Sequence, residues 1–553
     1  MNDKLDLDNL NEEYTRILND IALSRKKEYT EFVDKYSRKY GSFYLWWTTP
    51  FSSRNTYLDD TFLNICYFFL CRQIICSESE INHIVLSNKA LYDTLLANYK
   101  QELSSGKVVV EYHKKTVKTT PPIILFLLNL YILVNKFINI KTYLKKTSYH
   151  IKDCISLIDT PVLDSSFKNG KYQDRYFNNI QDYVKHDIYF VPELNKDASM
   201  GWKQFACYVN NSKSYRFIFK EKFLHLYDFL CLMEYFVYCL FLSTRKYKYA
   251  DIDVTPLVRN SLLMGCCSVP SLKGILNYKF IKRLRKSKFK VENLISWYEG
   301  RSSEIMMQKA FRRYYPKSNC VGYTGYMPSE FDLGQSVSRE QIIQKAAPLK
   351  MTVPGSMYMQ QAKQFCSNAA VIKVPVLMND YSYREEVTRE NIKKRILVVL
   401  PFFENIAKNM LHILNEYVKK NKDKFDIYIK NHPTHFDKKV EYYTKERIYF
   451  NPIYVEGELI KCLLDVDIAF MSYTSATLEV LSQGKSLINL CPLGKLRYTG
   501  LPENFSNDLC YFAYGQQEVF NALDEFSVRE KKTIDISELL EPVNEETVNR
   551  MWE

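Results

Sequence analysis

The 14 cysteines in these 553 residues form no C-x-x-C pair and no Cys/His cluster at zinc spacing. Neither a disulfide framework nor a structural metal is expected, and a reduced, cytoplasmic compartment fits best. The first residues, MNDKLDLDNLNEEYTRIL, are acidic and polar, without a basic segment leading into an apolar one, so no cleavable export signal is expected. Two apolar stretches test for membrane spans. PPIILFLLNLYILVNKF is interrupted by Asn129, Asn135 and Lys136 and falls short of the ~20 residues a span needs. FLHLYDFLCLMEYFVYCLFLS is long enough but carries His225, Asp228 and Glu234, and both stretches read as buried helices in preference to spanning ones. No nucleic-acid-binding motif is present. The acidic pairs Asp251/Asp253 and Asp465/Asp467 do not follow a strand into a loop, as a nucleotide-sugar metal site would require. No metal and no cofactor is therefore expected.

Length implies more than one domain, at roughly 100–200 residues each. Hydrophobic content of 46% and charged content of 25% are those of a globular protein. The 43 Tyr and 33 Phe make it rich in aromatics, which reads first as compositional drift. A formal net charge of +13 favours anionic partners, whether phosphate-bearing substrates or an anionic membrane surface. Part of the excess lies in KFIKRLRKSKFK, Lys279 to Lys290, read equally as a solvated helix face or as a membrane-surface or phosphate-binding patch.

Residues 1–80 read as a helical N-terminal region. From 81 to 380, short β-like runs alternate with helical stretches: HIVLS, KVVVEYH, CISLIDTPVL and DIYFVPEL, then strand, turn, helix and strand over Phe289 to Tyr326. The polar stretch Asn379 to Arg395 reads as an interdomain linker. Residues 394–553 show the clearest βα winding, in RILVVLPF, ENIAKNMLHILNEYVKKN, FDIYIK, ELIKCLLDV, DIAFMS, SATLEVLSQGK and SLINLC. The fold class is α/β, with two Rossmann-like domains facing a central cleft and a helical N-terminal extension.

In such sheets ligands bind beyond the carboxyl ends of the strands. The stretch DIYIKNHPTHF puts Lys430, Asn431, His432, Pro433 and Thr434 at one such end, and Pro433 biases His432 toward extended backbone facing the crevice. His435 reads as a helix-start or surface residue. One strand later, Ser472 ends a strand, and Thr474 or Ser475 caps a helix whose free N–H groups suit an anion. Glu479 in that helix reads either as a carboxylate favoured by the helix dipole or as an acceptor for sugar hydroxyls.

KNHP, SYTSATLEVLSQGKSLINL and LGKLRYTGL together resemble the donor-binding half of GT-B glycosyltransferases that build bacterial surface polysaccharides. The similarity is greatest to capsule polysaccharide transferases, with polysialyltransferases and teichoic-acid polyol-phosphate transferases further off. It implies a donor, often CMP- or CDP-linked, held by Lys430, His432 and Pro433 at the phosphate, by Ser472, Thr474 and Ser475 through hydroxyl and backbone N–H, and by Glu479 at the ribose. Lys495 and Arg497 would help offset the phosphate charge. WYEG is similar to the acidic-residue-plus-Gly motif that carries the base in CMP-sugar transferases, which makes Glu299 the catalytic candidate beside His432, with Glu304 an equal alternative. Asp159, Asp164, Asp174 and Arg175 cluster after a strand, as an acceptor site or a salt-bridged loop.

The resemblance implies a metal-independent glycosyltransferase acting on a nucleotide-sugar and on a glycan or lipid-linked glycan acceptor, for capsule or lipopolysaccharide. It would work in the cytoplasm or peripherally at the inner membrane, with no nucleic-acid partner. The alternatives are a nucleotide-sugar epimerase of the same architecture, a polyol-phosphate transferase, or a basic membrane- or nucleic-acid-binding protein.

Overall fold

The computed structural model describes residues 4–76, 81–114, 120–144, 154–168, 170–195, 200–212, 215–378, 393–422, 424–432, 438–444, 447–474, 476–503, 505, 508–528 and 535–553. The chain opens with β1 (Lys4–Asp6), α1 (Glu12–Tyr40) and α2 (Thr61–Cys76), followed by β2 (His83–Leu86) and β3 (Val109–Tyr112). The long α1 is well specified locally. Asn11 caps it by accepting from the Tyr14 N–H, with Glu12 and Glu13 in the first turn and Arg38 and Lys39 in the last. The strands β1, β2 and β3 form a parallel sheet of their own. HIVLS and KVVVEYH, expected in the large N-terminal sheet, instead join this small one, His83–Val85 pairing with Lys4–Asp6 on one side and β2 pairing with β3 on the other.

Next come α3 (Pro122–Tyr143), β4 (Ile155–Val162), β5 (Ile188–Leu194), α4 (Leu230–Ser243), α5 (Val269–Lys286), β6 (Val291–Trp297), α6 (Ser302–Tyr314), β7 (Asn319–Tyr323), β8 (Lys350–Val353) and β9 (Val371–Lys373). The last six strands of this part build a parallel sheet in the order β9-β8-β7-β6-β4-β5. Strand order turns around between β4 and β6, where the first two strands run one way from the start of the winding and the rest run the other. A crevice therefore opens at the carboxyl ends of those two strands.

The C-terminal part contains β10 (Lys394–Val399), α7 (Glu404–Lys420), β11 (Phe425–Lys430), β12 (Pro452–Tyr454), β13 (Ile468–Met471), α8 (Thr477–Ser482), β14 (Ser486–Leu490), β15 (Cys510–Ala513) and α9 (Glu545–Asn549). Its sheet is parallel, in the order β12-β11-β10-β13-β14-β15, with Ile396 opposite Ile468 and Val399 opposite Met471. ILVV, IAFM and LINL are apolar on both faces because helices cover both sides of such a sheet. In α7, Ile406, Met410, Leu414, Tyr417 and Val418 form the buried stripe that a helix packed on a sheet requires.

The two parts are tied together twice. Helix α1 lies along both: Thr15 Oγ1 accepts from the Gly494 N–H at 2.9 Å at one end, and at the other Ser338 Oγ donates to Asp34 at 2.6 Å. The chain terminus crosses back: Val548 and Met551 join the N-terminal core, Asn319 Nδ2 donates to the Met551 carbonyl at 2.9 Å, and Lys373 pairs with Glu541 at 2.8 Å.

The two apolar helices are not buried as expected. α3 and α4 each bury one side and leave the other open, with Leu128, Ile132, Leu230 and Val237 exposed. The basic run lies on the second half of α5 and the loop after it, and Arg283 of that run forms a bidentate pair with Asp228 at 2.8 Å.

Candidate functional site

In the C-terminal sheet strand order reverses between β10 and β13, so its crevice is built by the loops after these strands and after their neighbour β11. Phe402 and Phe403 follow β10; Tyr473, in the left-handed region at φ 51°, follows β13. Phe402 packs edge-on against the His432 ring at 5.5 Å, and Phe403 packs against Tyr473 at 5.6 Å. Tyr473 in turn contacts Tyr498, which contacts Tyr57 of the N-terminal part. A line of rings thus leads from His432 across the cleft.

Lys430 Nζ donates to the Gly457 carbonyl at 2.6 Å. It also bears on Glu479, whose carboxyl is pushed up to about 7 by burial against the opposing pull of the Lys430 charge. Lys430, His432 and Glu479 therefore belong to one end of the sheet, as the sequence reading expected. The Ser/Thr loop differs from it. Ser472 is fully buried and its hydroxyl donates to the Leu490 carbonyl at 2.6 Å, tying β13 to β14. Helix α8 begins at Thr477 with Ala476 as its cap, and Thr474 Oγ1 only accepts from the Ala476 N–H at 3.3 Å. Gly484, at φ 65°, closes this helix as expected. Pro433, Thr434, His435 and Ser475 lie outside the described residues.

Lys495 and Arg497 sit together on the loop that faces the N-terminal part. Lys495 is exposed; Arg497 is locked in an ion pair with buried Glu330 and donates to the Tyr514 hydroxyl. The guanidinium expected at a phosphate is thus committed to an interdomain bridge.

In the N-terminal sheet, Asp159 lies within β4, buried and paired with Lys220 at 3.1 Å. Lys220 also pairs with Glu193, which Lys136 and Lys273 join at 2.8 and 3.0 Å. Asp174 is buried and accepts from the Tyr172 hydroxyl and from the Tyr176 and Phe177 N–H groups, so it shapes its own loop. Asp164 accepts from the Met200 N–H at 3.1 Å, and Arg175 is exposed beside the Tyr176 ring. The expected single loop is corrected for Asp159, which is ion-paired within a strand, whereas Asp174 is hydrogen-bonded within its own loop.

Glu299 follows β6, its carboxylate accepting from Trp297 Nε1 at 2.6 Å and paired with Arg301. Glu304, in the first turn of α6, is buried and accepts from the backbone N–H groups of Glu299 and Arg301 at 2.6 and 3.1 Å. Burial raises its carboxyl above the ordinary range, with Arg301 opposing. Gly300 between them has φ 72°, and a Cβ there would stand 2.2 Å from the Gly334 carbonyl. Only glycine lets the loop 329–335 close against this turn.

That loop brings in a residue the sequence reading missed. A cavity of about 660 Å³ opens between the two parts, walled by Tyr57, Asp332, Phe403, Tyr473, Lys495 and Tyr498 among others. Asp332 is buried in its wall, accepting from the Ser329 N–H at 2.7 Å and from Gln335 Nε2 at 3.2 Å. Burial pushes its carboxyl up to about 7, despite those bonds and one from Tyr57. The available signal was SEFDLG, a carboxylate followed by glycine in a loop beyond a strand end. Among the described residues no group of three or more His, Cys, Asp or Glu side chains converges as a metal site.

Two facing doubly wound parallel sheets with a cavity between them make this an α/β protein of GT-B architecture. No protein-family model and no curated protein matches the chain. Among solved structures it is similar to the UDP-GlcNAc 2-epimerase of Methanocaldococcus jannaschii, at 10% identity over 71% of this chain and 98% of that one, with a TM-score of 0.39. It is also similar to the glycotransferase of kitacinnamycin, at 9% identity over 72% and 94% and a TM-score of 0.38. A third is the trehalose 6-phosphate synthase of Burkholderia multivorans, at 9% over 68% and 91% and a TM-score of 0.37.

Proposed function

We propose that the protein is a glycosyltransferase that moves a sugar from a nucleotide-activated donor to a hydroxyl of a glycan or lipid-linked glycan. The observation that carries this reading is the cavity between the two sheets, with aromatic rings and Lys495 on the C-terminal side and the buried Asp332 carboxyl on the other. The nucleotide would lie along the ends of β10, β11 and β13, with Lys430 and His432 toward its phosphate and Glu479 toward its ribose. Asp332 is the base: with a carboxyl near 7 it is poised to take the acceptor proton as the hydroxyl oxygen attacks the anomeric carbon and the nucleotide leaves. This shifts the role from Glu299, whose carboxylate is engaged by Trp297 and Arg301. The Gly300 turn that follows Glu299 packs against Gly334 of the Asp332 loop.

A CMP-linked donor and a bacterial surface glycan acceptor follow from the resemblance of KNHP and the Ser/Thr stretch, as does work without a metal at the cytoplasmic side of the inner membrane. The test is thermal shift with CMP, CDP, UDP and GDP, followed by transfer assays with the matching sugar donors. At least one nucleotide is expected to stabilise the parent. Asp332→Asn is expected to lower kcat by about 10²–10⁴-fold, the usual range for loss of a general base, with nucleotide binding retained. Absence of stabilisation by all four nucleotides, with turnover unchanged in Asp332→Asn, overturns the reading.

A further inference from the structure

Helices α3 and α4 lie antiparallel, clasped by Phe126 against Phe236 at 4.8 Å and Phe137 against Phe229 at 5.3 Å. Their inner sides are firmly held. Phe126, Leu133, Phe137 and Ile140 are buried, and Lys136 reaches inward to Glu193. Their outer sides are apolar and open to solvent, with Tyr131 68%, Leu230 65% and Val237 61% exposed. No charged side chain is exposed on α3 before Lys141 in its last turn. Both α3 and the stretch Leu226–Ser243 are long and apolar enough to cross a bilayer by length and composition. An apolar face of this extent on a folded protein marks a place where something docks.

Charge identifies what docks. At one end of the pair, the last turn of α3 and the start of α4 meet the end of α5. Arg283 binds Asp228 there, and Arg285, Lys286, Lys288 and Lys290 follow it exposed. Lys141 lies at the same end, its Nζ 3.3 Å from the Leu224 carbonyl. At the other end the Arg245 guanidinium covers the Phe241 ring at 4.2 Å. The exposed carboxylate on α4, Glu234, sits on the flank toward Tyr44. An apolar strip with basic side chains at both ends is the pattern that settles into an anionic bilayer interface, acyl chains meeting the strip and lipid phosphates meeting the rim.

We propose that the outer face of α3 and α4 is a membrane-docking surface, on which the folded protein rests in the plane of an anionic bilayer. It does not cross it. Spanning would pull Lys136 away from Glu193 and strip the buried side of each helix from the core. The proposal does not depend on the transferase reading, since it rests on neither the cavity nor its residues.

The test is flotation of the purified full chain with vesicles of phosphatidylcholine alone, or of phosphatidylcholine with phosphatidylglycerol. Co-flotation with the anionic vesicles is expected, about tenfold weaker with the neutral ones. It is expected to be lost in Leu128→Asp/Ile132→Asp and in Leu230→Asp/Val237→Asp, with the melting temperature held. A parent that does not float, or variants that float as the parent does, overturn the proposal. Tyr131→Trp reports without adding charge. Its emission is expected to be quenched more by lipids brominated near the headgroup end of the acyl chain than at the methyl end. No quenching by either overturns docking, and stronger methyl-end quenching overturns the in-plane arrangement. A dimer seen by light scattering without lipid, broken by the same variants in the absence of vesicle binding, assigns the face to a second copy and also overturns it.

Discussion

Two carboxyls, Asp332 and Glu479, are held protonatable near pH 7 by burial, one in each part of the molecule. Each binds a proton more tightly folded than unfolded, so the stability these two groups contribute is fullest below the ordinary carboxylate range and is lost as pH rises through about 4 to about 7. Asp332→Asn is expected to remove part of this slope and to make the variant more stable than the parent at pH 8. The gain is a few kcal/mol at most, at about 1.4 kcal/mol per pKa unit, and urea unfolding at pH 5 and pH 8 measures it. An unchanged slope would refute it. Side chains close in sequence to a strand end were legible: Lys430 and His432 declared themselves because β11 stops where they begin. Arg497 and Asp332 did not. The partner of Arg497 is Glu330, in a distant loop of the other domain, and no local pattern encodes a bond across such a separation.

At the scale of elements, the C-terminal winding was readable because its strands are apolar on both faces and its helices are capped and periodic. FDIYIK was found as a strand with the expected bounds, Phe425–Lys430. The N-terminal half misled in two places. β2 and β3 carry strand-like sequences, but their sheet is chosen by β1, whose KLD carries no strand signal. Helices α3 and α4 are apolar around most of their circumference, which reads as burial, whereas half of each faces outward. The Gly300 turn is the element on which the cleft depends. Gly300→Ala is expected to cost about 1–3 kcal/mol from the left-handed backbone alone. The close approach of Gly334 adds to this, because backbone cannot move aside. A lowered melting temperature together with reduced turnover, from displacement of the Asp332 loop, is the expected outcome; a variant that melts and turns over like the parent contradicts it.

For the whole molecule, the relation between the two sheets is fixed by contacts of α1, while residues 379–392 of the expected linker lie outside the described residues. Asn19 in α1 donates to the Lys495 carbonyl at 3.0 Å and accepts from the Arg497 N–H at 2.8 Å. Lys26 pairs with Glu503 and Arg16 with Glu518, both in the C-terminal part. Asn19→Ala leaves two part-buried backbone groups without these bonds and is expected to destabilise by about 1–3 kcal/mol. It is also expected to widen the distribution of domain separations seen by small-angle scattering; an unchanged scattering profile would show that α1 does not set the spacing. The two α/β halves were visible in the sequence, while their mutual placement was not, because it resides in side chains of a helix whose own pattern speaks only of being a helix.

Helix α1 is about 44 Å long at 1.5 Å per residue, comparable with a whole domain. A span of that length, fastened near both ends, behaves as a strut instead of a hinge pin. The jaws of the cleft cannot swing apart without bending a continuous helix or releasing one of its anchorages. The aperture of the cleft is thereby set by whether α1 stays seated, a part of the chain that contributes to neither large sheet.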